Sequence, residues 1–360
     1  MPLVEPSHPY LDRLEPYHPP DLDTVAQEAG VNRNDLIRLV ANENPFGPSP
    51  LVADTLASFD QIQFHPDYRP LREAVARYAG LPPSHLVLSN GADEMIDLLI
   101  RLFVEPGEAV VICPPTFSMY ELYARVNRCR VLWAPCCEDL SLDPGGIERV
   151  VQRSDGEARV LFVVSPGNPS GLAVPLETIE RLLELPLLVV VDEAYIEFGG
   201  ESAVSLLPRH DNLGILRTFS KWAGLAGLRL GYGLLTPRLA DFVERIRPPY
   251  NVNAAAVAAA LATFEDLDAV QANVARLIEE RQRLRDLLGA IDWLEPLPSQ
   301  TNFVLTRVKG RDPGSVVDHL AQSGILVRGL SDPQVADCVR ITVGRPEQND
   351  ALIDALRRME

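Results

Sequence analysis

Seven short runs of almost unbroken apolar residues recur between positions 85 and 235: HLVLS, AVVIC, RVLWA, ARVLFVVS, LLVVVD, LGILRTFS and LRLGYGLL. A strand that is apolar on both faces has no side to offer to water, so it belongs inside a sheet covered above and below. Between the runs lie stretches with apolar residues at helical spacing, among them ADEMIDLLIRLF, MYELYARV and LETIERLLEL. This alternation predicts an α/β fold with a mixed, mostly parallel sheet and helices on both faces. The pattern breaks at RIRPPYNVN, residues 245–253. An Ala-rich helix, the long charged stretch VQANVARLIEERQRLRDLLGAI, short strands and a last helix follow, which predicts a smaller α+β domain. A chain of 360 residues has room for two domains. The expected division is an N-terminal arm over 1–40, a large domain over 41–247, and a small C-terminal domain over 248–360 that includes part of the arm.

Lys and Arg together number 33 against 50 Asp and Glu, giving a net charge of −17. Such a chain repels nucleic acid and anionic membrane surfaces, so neither is an expected partner, and any small anionic ligand must be held by local positive groups. The opening MPLVEPSHPY has neither the basic nor the apolar segment of a signal peptide, and the apolar stretches are too short to span a bilayer. Five cysteines, an odd number with no CxxC pair, fit a reduced cytoplasmic protein without a metal site.

In open α/β sheets, ligands bind beyond the carboxyl ends of the strands. Asp192 follows LLVVV, and Asn168 sits in SPGNPSG. Asn90, Gly91, Ala92 and Asp93 lead from a strand into a helix whose first N–H groups form an anion site. Phe117 follows AVVICPPT, Ser220 and Lys221 end LGILRTFSK, and Arg229 comes eight residues after the lysine. Pyridoxal 5'-phosphate needs this set of groups. Its aldehyde bonds a lysine, and its ring nitrogen must stay protonated to act as an electron sink, which a buried carboxylate enforces. Its phosphate takes a helix terminus and a bidentate arginine, and its flat ring takes an aromatic face. The glycines of GLAGLRLGYG do not match the G-x-G-x-x-G dinucleotide fingerprint, so their small size is expected to serve close packing beneath the cofactor. Glu94 is expected to be a favourable first-turn charge on its helix.

The motifs SNGADE, PPTFSMY, SPGNPSG, VVVDEAYIEF, RTFSKWAGLAGLRLGYG, RPPYNVN and VRITVG, in this order, resemble the fold-type I, pyridoxal-phosphate-dependent aminotransferases, class II. Among these the chain is most similar to the histidinol-phosphate aminotransferase family, from about Tyr17 to the C-terminus. The resemblance implies that Lys221 bonds the cofactor aldehyde and serves as the base, and that Asp192 pairs with the ring nitrogen. It implies that Asn168 and Tyr195 bind the ring hydroxyl, that Phe117 covers the ring, and that Gly91, Ala92, Asp93, Ser220 and Arg229 hold the phosphate. Arg328 and Arg340, with Tyr17 and Asn168, are implied at the substrate. The family usually carries Arg-Tyr-Pro where this chain reads Phe64-His65-Pro66. The family's tyrosine reaches the neighbouring subunit's cofactor phosphate, and His65 can donate the same hydrogen bond. The implied protein is a homodimer that moves an amino group between L-histidinol phosphate and 2-oxoglutarate in histidine biosynthesis, with ping-pong kinetics. The same motifs leave open a threonine-phosphate decarboxylase-like lyase, or an aminotransferase for aromatic or other amino acids, for which His65 is mild support. A catalytically silent binding protein would tolerate loss of Lys221 or Asp192, and the chain keeps both.

Overall fold

The computed structural model describes Leu14 and residues 21–359. The seven apolar runs become seven strands: β1 Leu86–Ser89, β2 Ala109–Ile112, β3 Arg130–Trp133, β4 Ala158–Val164, β5 Leu188–Asp192, β6 Leu213–Thr218 and β7 Gly231–Leu235. They form one sheet in the order β1-β7-β6-β5-β4-β2-β3. Neighbours run parallel except at β7, which is antiparallel to both β1 and β6.

The unbroken apolar runs follow from burial on both faces. Val160, Phe162, Leu188 and Val190 join one apolar cluster, and their neighbours Leu161, Val163, Val189 and Val191 join the other. Met95, Ile96 and Leu99 of the helix Gly91–Phe103 cover the first face, with Tyr120 and Ala124 of Met119–Val126. Ile147 of Pro144–Gln152 and Ile179 of Leu176–Leu182 cover the second. The last of these helices ends three residues before the LETIERLLEL pattern does. Pro186 disfavours helical backbone at Leu185, and the chain turns instead.

Strand register sets the position of the site. Asp192 lies between Val164 on one side and Leu216 on the other, so β4 and β5 end at one level and β6 runs two residues further. Because β7 runs the other way, its first residue Gly231 pairs with Ser89 and Thr218, the last residues of β1 and β6. The chain entering β7 therefore returns to the rim where the parallel strands end, which brings Arg229 into the same cavity as Lys221.

The C-terminal part carries a four-stranded antiparallel sheet of β8 Leu294–Pro296, β9 Phe303–Val308, β10 Arg328–Gly329 and β11 Cys338–Thr342, in the order β10-β11-β9-β8. The segment Ile37–Arg38 pairs with Ile325–Leu326 in parallel and so ties the start of the chain to this region. The Ala-rich stretch and the charged stretch form the helices Ala254–Glu265 and Leu267–Gly289. Among the described residues no helix is long and apolar enough to cross a membrane.

Candidate active site

A cavity of about 530 Å³ opens at the carboxyl ends of β4, β5 and β6. Its lining includes Ala92, Asp93, Phe117, Asn168, Asp192, Tyr195, Ser220, Lys221, Arg229, Arg328 and Arg340.

Asp192 closes β5 and is buried. Its Oδ2 accepts from the Tyr120 hydroxyl at 2.6 Å, and its Oδ1 accepts from the Ala194 N–H at 3.0 Å. Burial pushes its carboxyl up to about 6, against those two hydrogen bonds, with Asp93 and Glu193 adding to the rise. A carboxylate that faces a cavity with only neutral donors is suited to a cationic ring nitrogen.

Lys221 lines the same cavity, with Nζ donating to the Ala41 carbonyl at 3.0 Å. Desolvation brings its amine down to about 8, and the positive charges of Arg340 and Arg229 work in the same direction, while Glu43 and Asp93 oppose them. The chain has only one other lysine, Lys309, which pairs with Glu295 at 3.1 Å on the surface. That scarcity makes a direct test simple. In cofactor-free protein, modification of Lys221 by an amine-selective reagent, followed peptide by peptide, is expected to rise with a midpoint near pH 8. A midpoint above about 10, the ordinary lysine range, would contradict a desolvated amine.

The helix Gly91–Phe103 and the turn before β7 bring Ala92, Asp93 and Arg229 to the lining. Arg229 has left-handed backbone (φ 53°), a conformation that few side chains adopt. From there its Nη2 reaches Asp93 Oδ2 at 3.1 Å. Gly91 leaves room for it, since a Cβ there would lie 2.9 Å from Arg229 Nη2. Gly231 must be equally small, because a Cβ would sit 2.7 Å from the Ala92 nitrogen. Gly227, by contrast, faces open space, so the packing expectation does not extend to it. Glu94 takes the first-turn place expected of it, accepting from the Asn90 N–H at 2.6 Å and from Asn251 at 2.5 Å. Burial raises the Asp93 carboxyl, with Arg229 and Lys221 pulling the other way.

The small sheet also lines the cavity. Arg328 and Arg340 are direct cross-strand partners on β10 and β11. Like charges placed opposite each other repel, and a bound carboxylate or phosphate turns that cost into a bidentate grip. Arg340 also donates to Asn168 Oδ1 and to the Val40 carbonyl, each at 2.8 Å, and lies 5.4 Å from the Phe303 ring centroid.

The sequence of residues 34–356 matches the family described as aminotransferase class I and II. The chain is 43% identical over 362 residues to the histidinol-phosphate aminotransferase of Roseiflexus castenholzii, covering 98% of this chain and 97% of that one. It is 40% identical over 354 residues to the chloroplastic histidinol-phosphate aminotransferase of Nicotiana tabacum, covering 97% and 85%. It is also similar to the crystal structure of the histidinol-phosphate aminotransferase from Sinorhizobium meliloti in complex with pyridoxal-5'-phosphate, with a TM-score of 0.88, 28% identity and 98% of each chain covered. This chain belongs to the class I and II aminotransferases.

In this aminotransferase the cleft gathers most of the residues that the sequence singles out. Gly91 lies just behind the lining, beneath Arg229. His65, expected at the neighbouring subunit's cofactor, stands apart from this chain's cavity, its ring stacked on Tyr250 with centroids 4.1 Å apart. Tyr17 lies outside the described residues. Two side chains escaped sequence reasoning. Tyr120 stacks on Phe162 with centroids 4.6 Å apart and hydrogen-bonds Asp192. Its spacing of three from Phe117, at the start of a helix, could have placed both on one face. Asn42, whose Nδ2 donates to Tyr195 Oη at 2.9 Å, follows LIRLV, an apolar run of the same kind as the seven.

Proposed function

We propose that this chain is a pyridoxal-phosphate-dependent aminotransferase that transfers the amino group of L-histidinol phosphate to 2-oxoglutarate. The observation that carries this reading is the arrangement of Lys221, buried Asp192 and the Arg328–Arg340 pair around one cavity. The identity of 43% to a histidinol-phosphate aminotransferase over nearly all of both chains supports the choice of substrate. The residues present fit the cofactor: a buried carboxylate with two neutral donors, a desolvated amine, and a helix start where glycine leaves space for an arginine.

In this reading Lys221 bonds the aldehyde, and Asp192 and Tyr195 hold the ring nitrogen and the ring hydroxyl. Ala92, Asp93, Ser220 and Arg229 hold the phosphate. When bound, the group supplies an electron sink. The chain supplies the rest. Lys221 Nζ, with its lowered basicity, is neutral often enough near pH 8 to take the donor's α-proton and return it. Asp192 is charged above about pH 6, so at neutral pH it offers a negative charge to the ring nitrogen. Arg328 and Arg340 bind the carboxylate of one substrate and the phosphate of the other, because both groups present paired oxygens. Phe117 covers the ring. The two-domain division, a cytoplasmic location and a homodimer whose partner offers His65 belong to the same proposal.

Adding L-histidinol phosphate to the cofactor-loaded protein is expected to bleach the absorbance band of the lysine-bound cofactor, and 2-oxoglutarate is expected to restore it. Release of CO2 with no need for an oxo acid would instead mark a decarboxylase.

A further inference from the structure

Three consecutive residues under the cleft each give a hydrogen-bonding group to a side chain of the site. The Val40 carbonyl accepts from Arg340 at 2.8 Å, the Ala41 carbonyl accepts from Lys221 at 3.0 Å, and Asn42 Nδ2 donates to Tyr195 Oη at 2.9 Å. Asn42 is buried, with left-handed backbone at φ 54°. Its backbone N–H donates to Thr342 Oγ1 at 2.9 Å, and its Oδ1 accepts from the Thr342 hydroxyl at 3.1 Å. Its carbonyl accepts from Asn302 Nδ2 at 2.9 Å. Thr342 has one proton, and that proton goes to Oδ1, so the amide nitrogen is the end that faces Tyr195. A phenol oxygen that accepts from an amide keeps one proton of its own to give elsewhere.

We propose that Asn42 is a positioning residue: it fixes the polarity of the Tyr195 hydroxyl, so that Tyr195 donates into the cleft toward the cofactor's ring oxygen. This rests on reading the cleft as the pyridoxal phosphate site. Burial holds the Tyr195 phenol above its usual range, with Asp192 adding to the rise while Arg340 and the Asn42 amide oppose it. The phenol therefore keeps its proton at neutral pH, and the incoming amide bond makes it a stronger donor. Because Thr342 ends β11 and Tyr195 follows β5, the relay also links the small sheet to the large one.

The test is a pH titration of the absorbance band of the lysine-bound cofactor in two Asn42 variants, each alone and in a Tyr195→Phe background. Asn42→Asp keeps the shape but offers an oxygen that captures the Tyr195 proton. Asn42→Gly removes the side chain and keeps the left-handed backbone. A weakened Tyr195 donor leaves the ring oxygen more basic, so the titration midpoint moves up. The expected rise is about half a unit to one unit for the glycine variant and more than about one unit for the aspartate variant. In a Tyr195→Phe background the glycine variant's shift is expected to vanish, because it acts through Tyr195, while the aspartate variant keeps only the through-space effect of its added charge. Wild-type midpoints in both variants, equal shifts in both, or a glycine-variant shift that persists without the tyrosine hydroxyl would overturn the proposal. If the aspartate variant fails to take up cofactor, the glycine variant decides alone: a wild-type midpoint overturns the proposal, and a rise that Tyr195→Phe abolishes sustains it. A wild-type protein that shows no such band overturns the functional reading, and this proposal with it.

Discussion

Lys221→Ala is expected to lower turnover by more than about 10⁴-fold while leaving the fold intact. Among the described residues the side chain makes one hydrogen bond, to the Ala41 carbonyl. The positive charges of Arg340 and Arg229, which line the same cavity, disfavour its own. Truncation removes a charge that the cleft does not welcome, so the melting temperature of the cofactor-free variant should match or exceed that of the wild type. The catalytic loss has two sources, the bond to the cofactor and the proton shuttle, and no neighbouring amine can replace either. Added methylamine restores an amine but not its tether, so partial rescue would separate the second role from the first. Full activity in the variant would refute the assignment of Lys221.

Asp192→Asn is expected to act in opposite directions on stability and activity. Folded, the carboxyl titrates at about 6, above its unfolded value of 3.8. The folded state therefore holds the proton more tightly, and the stability this gives is lost as pH rises from about 4 to about 6. Two units correspond to about 3 kcal/mol of penalty at neutral pH, an upper figure for one buried group. Asparagine removes the charge and keeps an oxygen for the Ala194 N–H. Urea unfolding of cofactor-free protein should show the variant more stable by about 1–3 kcal/mol at pH 7.5, with the difference fading below about pH 4. Turnover should fall by about 10²–10³-fold, as on removing one charge aimed at the reacting group. This is the expected pattern for a residue kept for chemistry against the interest of the fold. A variant less stable at pH 7.5, or one with unchanged turnover, would show that Asp192 serves the core and not a ring nitrogen.

The parallel sheet was legible because strands buried on two faces leave contiguous apolar runs, and rim residues such as Asp192, Asn168 and Lys221 follow those runs directly. The return of Arg229 to the same rim was legible only as a spacing. The antiparallel pairing of β7 between β1 and β6 gives it a cause. What stayed hidden depends on long-range register. Arg328 and Arg340 face each other because β10, two residues long, happens to pair at that point. Asn42 follows a two-residue strand whose partner is Ile325–Leu326, too short to give a periodic signal. Tyr120 reads as an ordinary core position on a helix, and its hydroxyl acquires meaning only when Asp192 is placed 2.6 Å away. The pairing of Asp93 with Arg229 at 3.1 Å was hidden too, because the two residues are 136 positions apart.

The central claim is that the amine at Lys221 and the carboxylate at Asp192 hold one pyridoxal phosphate between them. Borohydride reduction of the cofactor-loaded protein, followed by digestion and mass spectrometry, tests it with only two lysines to choose between. The account predicts a cofactor adduct on the peptide that carries Lys221, none on the Lys309 peptide, and none in Lys221→Ala. An adduct at Lys309, or no adduct on any lysine of a protein that turns over, would contradict it.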